Sequence, residues 1–429
     1  MNLAEIRILN PKNILNILLS ILPISFIAGN LIININLLSI VLFTSIFYGR
    51  DLISIKFLLI DKIIIFLFFF TFLVGLINSF YLYENIINFE ENIILKKSLF
   101  FFKYLIFYFC VRTLVENNIF NFKFFFVSCS CCVLFVSLDL IYQLIFGKDI
   151  FGFERIDNKL SGPFGEEQIA GGYLQRFSFF LFFLFFVLNK KIEKKFFYFV
   201  LISLFLLISF AVLISGNRMP LVMYLLSWFF LFLLEKRIRK YFLPFLILSF
   251  TFVILIFLNV DQVRNNVSHF YSMLHQMVNF FLQLFENNAN LNFPNVYTKE
   301  LYSGLVTWKI NPFFGGGIES FNTNCSKLVK TCASHPHNYY LEILSEIGLL
   351  GMLIVSFVFI YVLYIAIFKK FIDESLFQNN NYISPFAIMF LVEIFPIKSS
   401  GSFFTTGNST YIFFIIAVIL GLYRKQQLN

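Results

Sequence analysis

All four histidines of the chain, His269, His275, His335 and His337, lie between Asn259 and Asn338. Histidine has an ordinary pKa of about 6.5, so it is mostly neutral at pH 7 and able to take a proton from a weak nucleophile such as a hydroxyl. Two of the four sit close together in SHPHNYYLEILSEIGLLG, which begins at Ser334. Pro336 separates them, so both rings reach one cleft only where the backbone is irregular. A second feature is the short SGNR turn, Ser215 to Arg218, where an arginine opens an apolar run. Its planar guanidinium matches phosphate oxygens, and the N–H groups of a helix N-terminus attract anions. An arginine at an apolar boundary also snorkels to lipid headgroups, so residue type alone leaves both readings open. His-Pro-His is a tempting metal pair. Zinc normally takes three or four protein ligands, and spacing places no third, so neither a metal nor a cofactor is expected.

The elements that must position these groups are set by composition. Hydrophobic residues make up 59% of the chain and charged residues 13%, which excludes a soluble globular domain and points to an integral membrane protein. The formal net charge is +9. In a membrane chain Lys and Arg report the sidedness of loops, and no nucleic-acid partner is implied. A spanning helix needs about 20 mostly apolar residues. About twelve such runs occur, at 14–29, 31–48, 62–80, 97–115, 122–146, 173–189, 196–215, 219–234, 241–259, 343–368, 383–398 and 409–424. The first is followed at once by a second and has no small-residue cleavage site, so it reads as a retained helix.

Basic loops fix the orientation. NKKIEKK (189–195), EKRIRK (235–240), Lys369 and Lys370, and the C-terminal YRKQQLN all fall on one side, which predicts cytoplasmic termini. Lys96 and Lys97 land on the other side, beside acidic Glu84, Glu90 and Glu91. The reading divides the chain into residues 1–259, nine helices with outward loops at 146–172 and 215–218; residues 260–338, a large outward loop with the histidines; and residues 339–429, three helices and the C-terminus.

Cys325 and Cys332 lie in that outward loop, where an oxidising compartment allows a disulfide that would hold the histidine segment in place. Cys110, Cys129, Cys131 and Cys132 fall in apolar runs and behave as small hydrophobes. Arg155, Lys159 and Arg176 add positive charge to the other outward loop and the helix after it. Asp139 and Glu393 are acids inside apolar runs, where they are costly and therefore either hydrogen-bonded between helices or functional.

HPHNYYLEILSEIGLLG follows the pattern His, Asn, nine residues, Gly, two residues, Gly, and so resembles bacterial O-antigen ligases and the related O-antigen polymerases. SGNRMPL, NPFFGGGIESF, LDLIYQLIFGKDIFGF, SGPFGEEQIAGGYLQR and FPIKSSGSFF extend the likeness from Leu138 to Leu422, about two-thirds of the chain. The resemblance implies an all-α polytopic integral membrane protein of about 12 transmembrane helices. A large periplasmic loop would lie between helices 9 and 10, in an architecture similar to the GT-C type. It implies transfer of a glycan from an undecaprenyl diphosphate carrier to lipid A-core at the periplasmic face of the inner membrane, by an inverting route that needs no metal. On that pattern His337 is the base and Arg218 a diphosphate contact, with Arg176, Lys299, Arg264, His335 and Asn338 as substrate-binding candidates. Relatives close to this pattern carry Phe-Arg where Phe321 is followed here by Asn322, so Arg264 and Lys299 are the available cations for a second phosphate contact.

Other readings are a polymerase whose acceptor is another carrier-linked repeat, a protein O-oligosaccharyltransferase, and a transporter of lipid-linked glycan. A transporter should show inverted repeats and broken helices at the midplane, whereas the polar features here gather at the outer face. A purely structural subunit leaves the arginine, the cysteine pair and the histidines without a common explanation.

Overall fold

A computed structural model of the chain describes residues 10–82, 92–155, 159–188, 194–236, 239–285, 293, 295–328, 332–372, 382–399 and 401–428. Glu84, Glu90, Glu91, Lys190, Lys191 and Arg237, used above for sidedness, lie outside the described residues. Every one of the twelve apolar runs forms a helix, as expected where lipid offers the backbone no hydrogen-bond partners. They are α1 (Pro11–Ala28), α2 (Asn30–Ile53), α3 (Leu59–Leu82), α4 (Ile93–Glu116), α5 (Phe122–Phe146), α6 (Ala170–Val187), α7 (Lys194–Ile214), α8 (Arg218–Leu234) and α9 (Phe242–Asn259), then α13 (Tyr339–Leu363), α14 (Ile383–Glu393) and α15 (Thr406–Leu428). The region between α9 and α13 is itself helical, with α10 (Asp261–Phe285), α11 (Val296–Trp308) and α12 (Ser320–Ser326). Among the described residues, no strand ladder forms, and an isolated bridge pairs Lys148 with Glu154.

Among the described residues, eight helices, α1 to α5, α9, α13 and α15, are long and apolar enough to cross a membrane. The twelve runs are thus helical, and eight of them meet the length and hydropathy of a span over the described residues. The 383–398 run falls short. Its helix stops at Glu393, because Pro396 lacks the N–H that would continue it and disfavours helical backbone in the residue before it.

The most enclosed element is α15, buried without a break across residues 408–422 and packed against α4, α14 and α2. At the other extreme α9 exposes most of its length, Phe250 by 69%, as a lipid-facing helix would. Arg112 and Asp139, both buried inside helices, each find polar partners. Arg112 on α4 is fully buried and bonds both Asp61 on α3 and Glu116, the latter at 2.6 Å. Asp139 accepts a hydrogen bond from Ile150 N–H at 2.9 Å, tying α5 to the loop after it.

The helix that carries the histidine motif is broken by design of its sequence. Within α13, Gly348 has φ +68°, and residues 312–317 dock into the break. Gly316 N–H donates to Ser345 O at 3.0 Å and Gly317 N–H to Glu346 O at 2.7 Å, while Leu349 N–H donates to Pro312 O at 2.9 Å. The loop's amides thereby satisfy carbonyls that the interrupted helix cannot. A Cβ on Gly348 would stand 2.3 Å from Phe313 O, and one on Gly315 2.4 Å from the Glu346 carbonyl carbon, so both positions require glycine. Two acids on the same face of α13 hold further loops. Glu342 accepts from Phe403 N–H at 2.5 Å and Glu346 from Glu319 N–H at 3.0 Å.

Candidate active site

The histidine segment enters α13 through a tight turn. Asn338 caps the helix, accepting from Tyr340 N–H at 3.0 Å and Leu341 N–H at 3.2 Å, and its own amide donates to Pro396 O at 2.9 Å. Just before it, His337 has φ +52°, in the left-handed region that non-glycine residues seldom occupy. That irregular backbone meets the condition set by Pro336. The rings of His335 and His337 lie side by side, 4.2 Å between centroids. A disulfide joins Cys325, buried at the end of α12, to Cys332, three residues before the first histidine.

The floor under the rings is α11. Asn295 starts it by accepting from Thr298 N–H at 3.0 Å. One turn further on, Glu300 brings Oε1 to 3.4 Å from His337 Nε2. A second turn brings Gly304 against the motif, where a Cβ would stand 3.0 Å from Pro336 Cβ and 3.1 Å from Leu341 Cβ. The helix is therefore pressed onto the His-Pro-His turn, with glycine allowing the approach. Burial pushes the Glu300 carboxyl up to about 7, which leaves it near the midpoint of its titration at neutral pH. His335 is driven the other way. Burial, then the charge of His337, lowers it to about 4, so it is neutral at pH 7. Its Nδ1 lies 2.9 Å from Ser334 Oγ, and its Nε2 is buried with no hydrogen-bond partner.

A second polar cluster lies behind Tyr339, the first residue of α13. Arg176 on α6 donates from Nη2 to Glu393 Oε1 at 2.6 Å, to Asn408 Oδ1 at 2.5 Å and to Tyr339 OH at 3.3 Å, and from Nε to Glu393 Oε2 at 3.1 Å. Lys398 donates to Glu393 Oε2 at 2.6 Å and Tyr339 OH donates to Oε1 at 2.8 Å. The guanidinium also stands 5.1 Å over the Tyr411 ring. Burial brings Lys398 down to about 8 against the pull of Glu393. Arg176, Asn338 and Glu393 thus belong to a network that clamps α6, α13, α14 and α15 together, with one net positive charge among Arg176, Lys398 and Glu393.

The remaining cations are separately held. Arg218 is the first residue of α8, behind a turn in which Asn217 accepts from Gly171 N–H at 2.9 Å and donates to Gln168 O at 2.8 Å. Its Nη1 rests on Met273 of α10, and its Nε is buried with no hydrogen-bond partner. Beside it an apolar cleft is lined by Val212, Leu221 and, from α10, Val263, Val267 and Phe270. Arg264 pairs with Asp261 on the exposed side of α10, with His269 and His275 exposed further along the same helix. Lys299 is half-buried beside Glu300 on α11. The structure therefore groups His335, His337, Glu300 and Asn338, and places Arg218, Arg264 and Arg176 against other partners. Among the described residues, no three His, Cys, Asp or Glu side chains converge as a metal site.

Residues 203–356 match the protein family described as O-antigen ligase. That match, over about a third of the chain, supports a membrane protein similar to the O-antigen ligases and polymerases. The matched stretch runs from within α7 to within α13 and so contains Arg218, Lys299, Glu300, the disulfide, both motif histidines and the Gly348 break. No curated protein matches the chain. Proteins of the O-antigen ligase family are glycosyltransferase-like enzymes acting on lipid-linked glycans.

Glu300 and Lys398 were not singled out from sequence as parts of the site. Lys398 lies within FPIKSSGSFF, a stretch already family-like, so its region was visible though its partner was not. Glu300 offered only its place next to Lys299; the 37 positions to His337 carry no periodic signal.

Proposed function

We propose that the protein transfers a glycan from undecaprenyl diphosphate to a hydroxyl of lipid A-core at the outer face of the inner membrane, as an O-antigen ligase. The observation that carries this reading is the convergence of His337, His335 and Glu300 on the turn that opens α13, within the family-matched stretch that also bears Arg218. A sugar hydroxyl is a poor nucleophile at neutral pH, and a positioned base contributes roughly 10²- to 10⁴-fold. His337, partly open to solvent, removes the hydroxyl proton as the acceptor oxygen forms its bond to the anomeric carbon. The bond from that carbon to the diphosphate oxygen breaks on the opposite face, its electron pair leaves with the lipid diphosphate, and the configuration inverts.

The departing diphosphate needs rigid cationic donors in a water-poor site. Arg218 supplies them at the N-terminus of α8, with a buried, unpartnered Nε and an apolar cleft alongside for part of the lipid. Lys299, one residue from Glu300, is the favoured second cation; Arg264, turned outward and paired with Asp261, is the weaker one. His335 shapes the acceptor side as a neutral ring. Arg176 and Asn338 act by fixing the start of α13. The step as written requires no metal. The orientation that places the histidines outside is that of the basic loops, with both termini cytoplasmic.

The test is transfer in proteoliposomes containing undecaprenyl diphosphate-linked glycan and either lipid A-core or a second carrier-linked repeat. Product on lipid A-core is the expected result. Product on the carrier alone would make the protein a polymerase, and loss of the donor from one leaflet without any product would make it a transporter.

A further inference from the structure

The base proposed above does not stand alone on its turn, and the group beneath it is a carboxyl that the reaction as written leaves unused. Glu300 Oε1 is 3.4 Å from His337 Nε2, while Glu300 Oε2 is buried with no hydrogen-bond partner. A buried carboxyl oxygen without a partner is costly and unusual, so a position that keeps one calls for an explanation. The helix that presents it is not free to slide. Gly304, on the same face one turn later, is seated against Pro336 and Leu341, and the polar residues Thr298, Ser303 and Thr307 of α11 are buried. The carboxyl is thus delivered to the ring by a clamped helix, with an unsatisfied oxygen beside it.

We infer that Glu300 is the positioning residue of His337, holding the imidazole with its proton on Nε2 and balancing the charge the ring acquires when it takes the acceptor's hydroxyl proton. The inference rests on the reading of His337 as the base. With Nε2 on the carboxyl side, the incoming proton goes to Nδ1; the ring becomes imidazolium against a carboxylate, and after the glycan has moved the proton passes to water. No bond to Glu300 forms or breaks. The charged and titratable groups around the pair are His335, Lys299 on α11 and the ring of Tyr297, 6.5 Å from that of His337, with Glu319 acting on His335 from the loop before α12.

A carboxylate in this role makes the wild-type rate rise with pH through about 7, as the Glu300 carboxyl raised by burial loses its proton. Glu300→Gln keeps the shape and removes the charge. It is expected to lower the turnover number roughly 10²-fold with little change in KM, and to erase the rise near pH 7; Glu300→Asp is expected to restore part of both. A carboxyl that only braces the turn would leave the pH profile unmoved in Glu300→Gln. The decisive readout does not depend on transfer at all. Carbethoxylation of His337 by diethyl pyrocarbonate, followed by mass spectrometry across pH in purified wild type, Glu300→Gln and Glu300→Asp, reads how the carboxylate biases the ring's protonation. The inference predicts that His337 becomes half-reactive about one pH unit lower in Glu300→Gln, and in between for Glu300→Asp. Superimposable curves for all three proteins overturn it. If the curves shift while wild type transfers glycan to no acceptor, the pairing stands and the enzymatic reading of the site fails instead.

Discussion

Two polar clusters flank the first turn of α13, and they are built on opposite principles. Around Tyr339, Arg176, Lys398 and the tyrosine hydroxyl donate to a shared set of acceptors, most at 2.5 to 3.1 Å, and Glu393 is fully buried among them. Around His337, two residues away, the groups are left incomplete: Glu300 Oε2 and His335 Nε2 are buried without partners, and the ring to carboxyl distance is 3.4 Å. A closed network in a low-dielectric setting rigidifies a fold, whereas open valences store reactivity at a site awaiting a substrate. Under the proposed function, the first cluster serves as scaffold and the second carries the chemistry.

Breaking the closed cluster should have the largest effect. Glu393→Ala leaves Arg176 and Lys398 buried without their counter-ion, a loss of roughly 3–5 kcal/mol, and thermal unfolding in detergent should show the protein folding poorly or not at all. His337→Gln is expected to leave the unfolding temperature near that of wild type while cutting transfer by roughly 10²- to 10⁴-fold, measured with purified donor and acceptor. Asn338→Ala removes the cap that joins the two regions, and should cost about 1 kcal/mol in stability together with a moderate loss of transfer. The smallest effect belongs to Arg264→Ala, whose exposed pairing with Asp261 contributes little; transfer is expected to change less than about twofold, and less than for Lys299→Ala. An Arg264→Ala loss as large as that of His337→Gln would place the second phosphate contact on α10.

The membrane helices were legible because hydropathy is a local property: each of the twelve apolar runs is a helix. Their lengths were less so, since α14 ends where Glu393 turns inward to Arg176, a partner 217 positions away. The stretch between α9 and α13, read from its polarity as a loop, is mostly helix. Its longest element, α10, carries Val263, Val267, Tyr271, Leu274 and Val278 at helical spacing among polar residues, a pattern that a search for uninterrupted apolar runs passes over. The histidine turn and the cysteine pair could be picked out because their residue types are rare in this composition. The Gly348 break and the Glu300 contact could not, because each is defined by a second segment that docks from afar: residues 312–317 in one case, α11 in the other.

The measurement that bears most directly on the account is the single-turnover rate of glycan transfer to lipid A-core in proteoliposomes, for wild type, His337→Gln and Tyr339→Phe side by side. The account predicts that His337→Gln is slowed by at least about 10²-fold with its fold intact, while Tyr339→Phe, one hydroxyl removed from the closed cluster, keeps most of its rate and loses stability. A His337→Gln protein that transfers at the wild-type rate would contradict it.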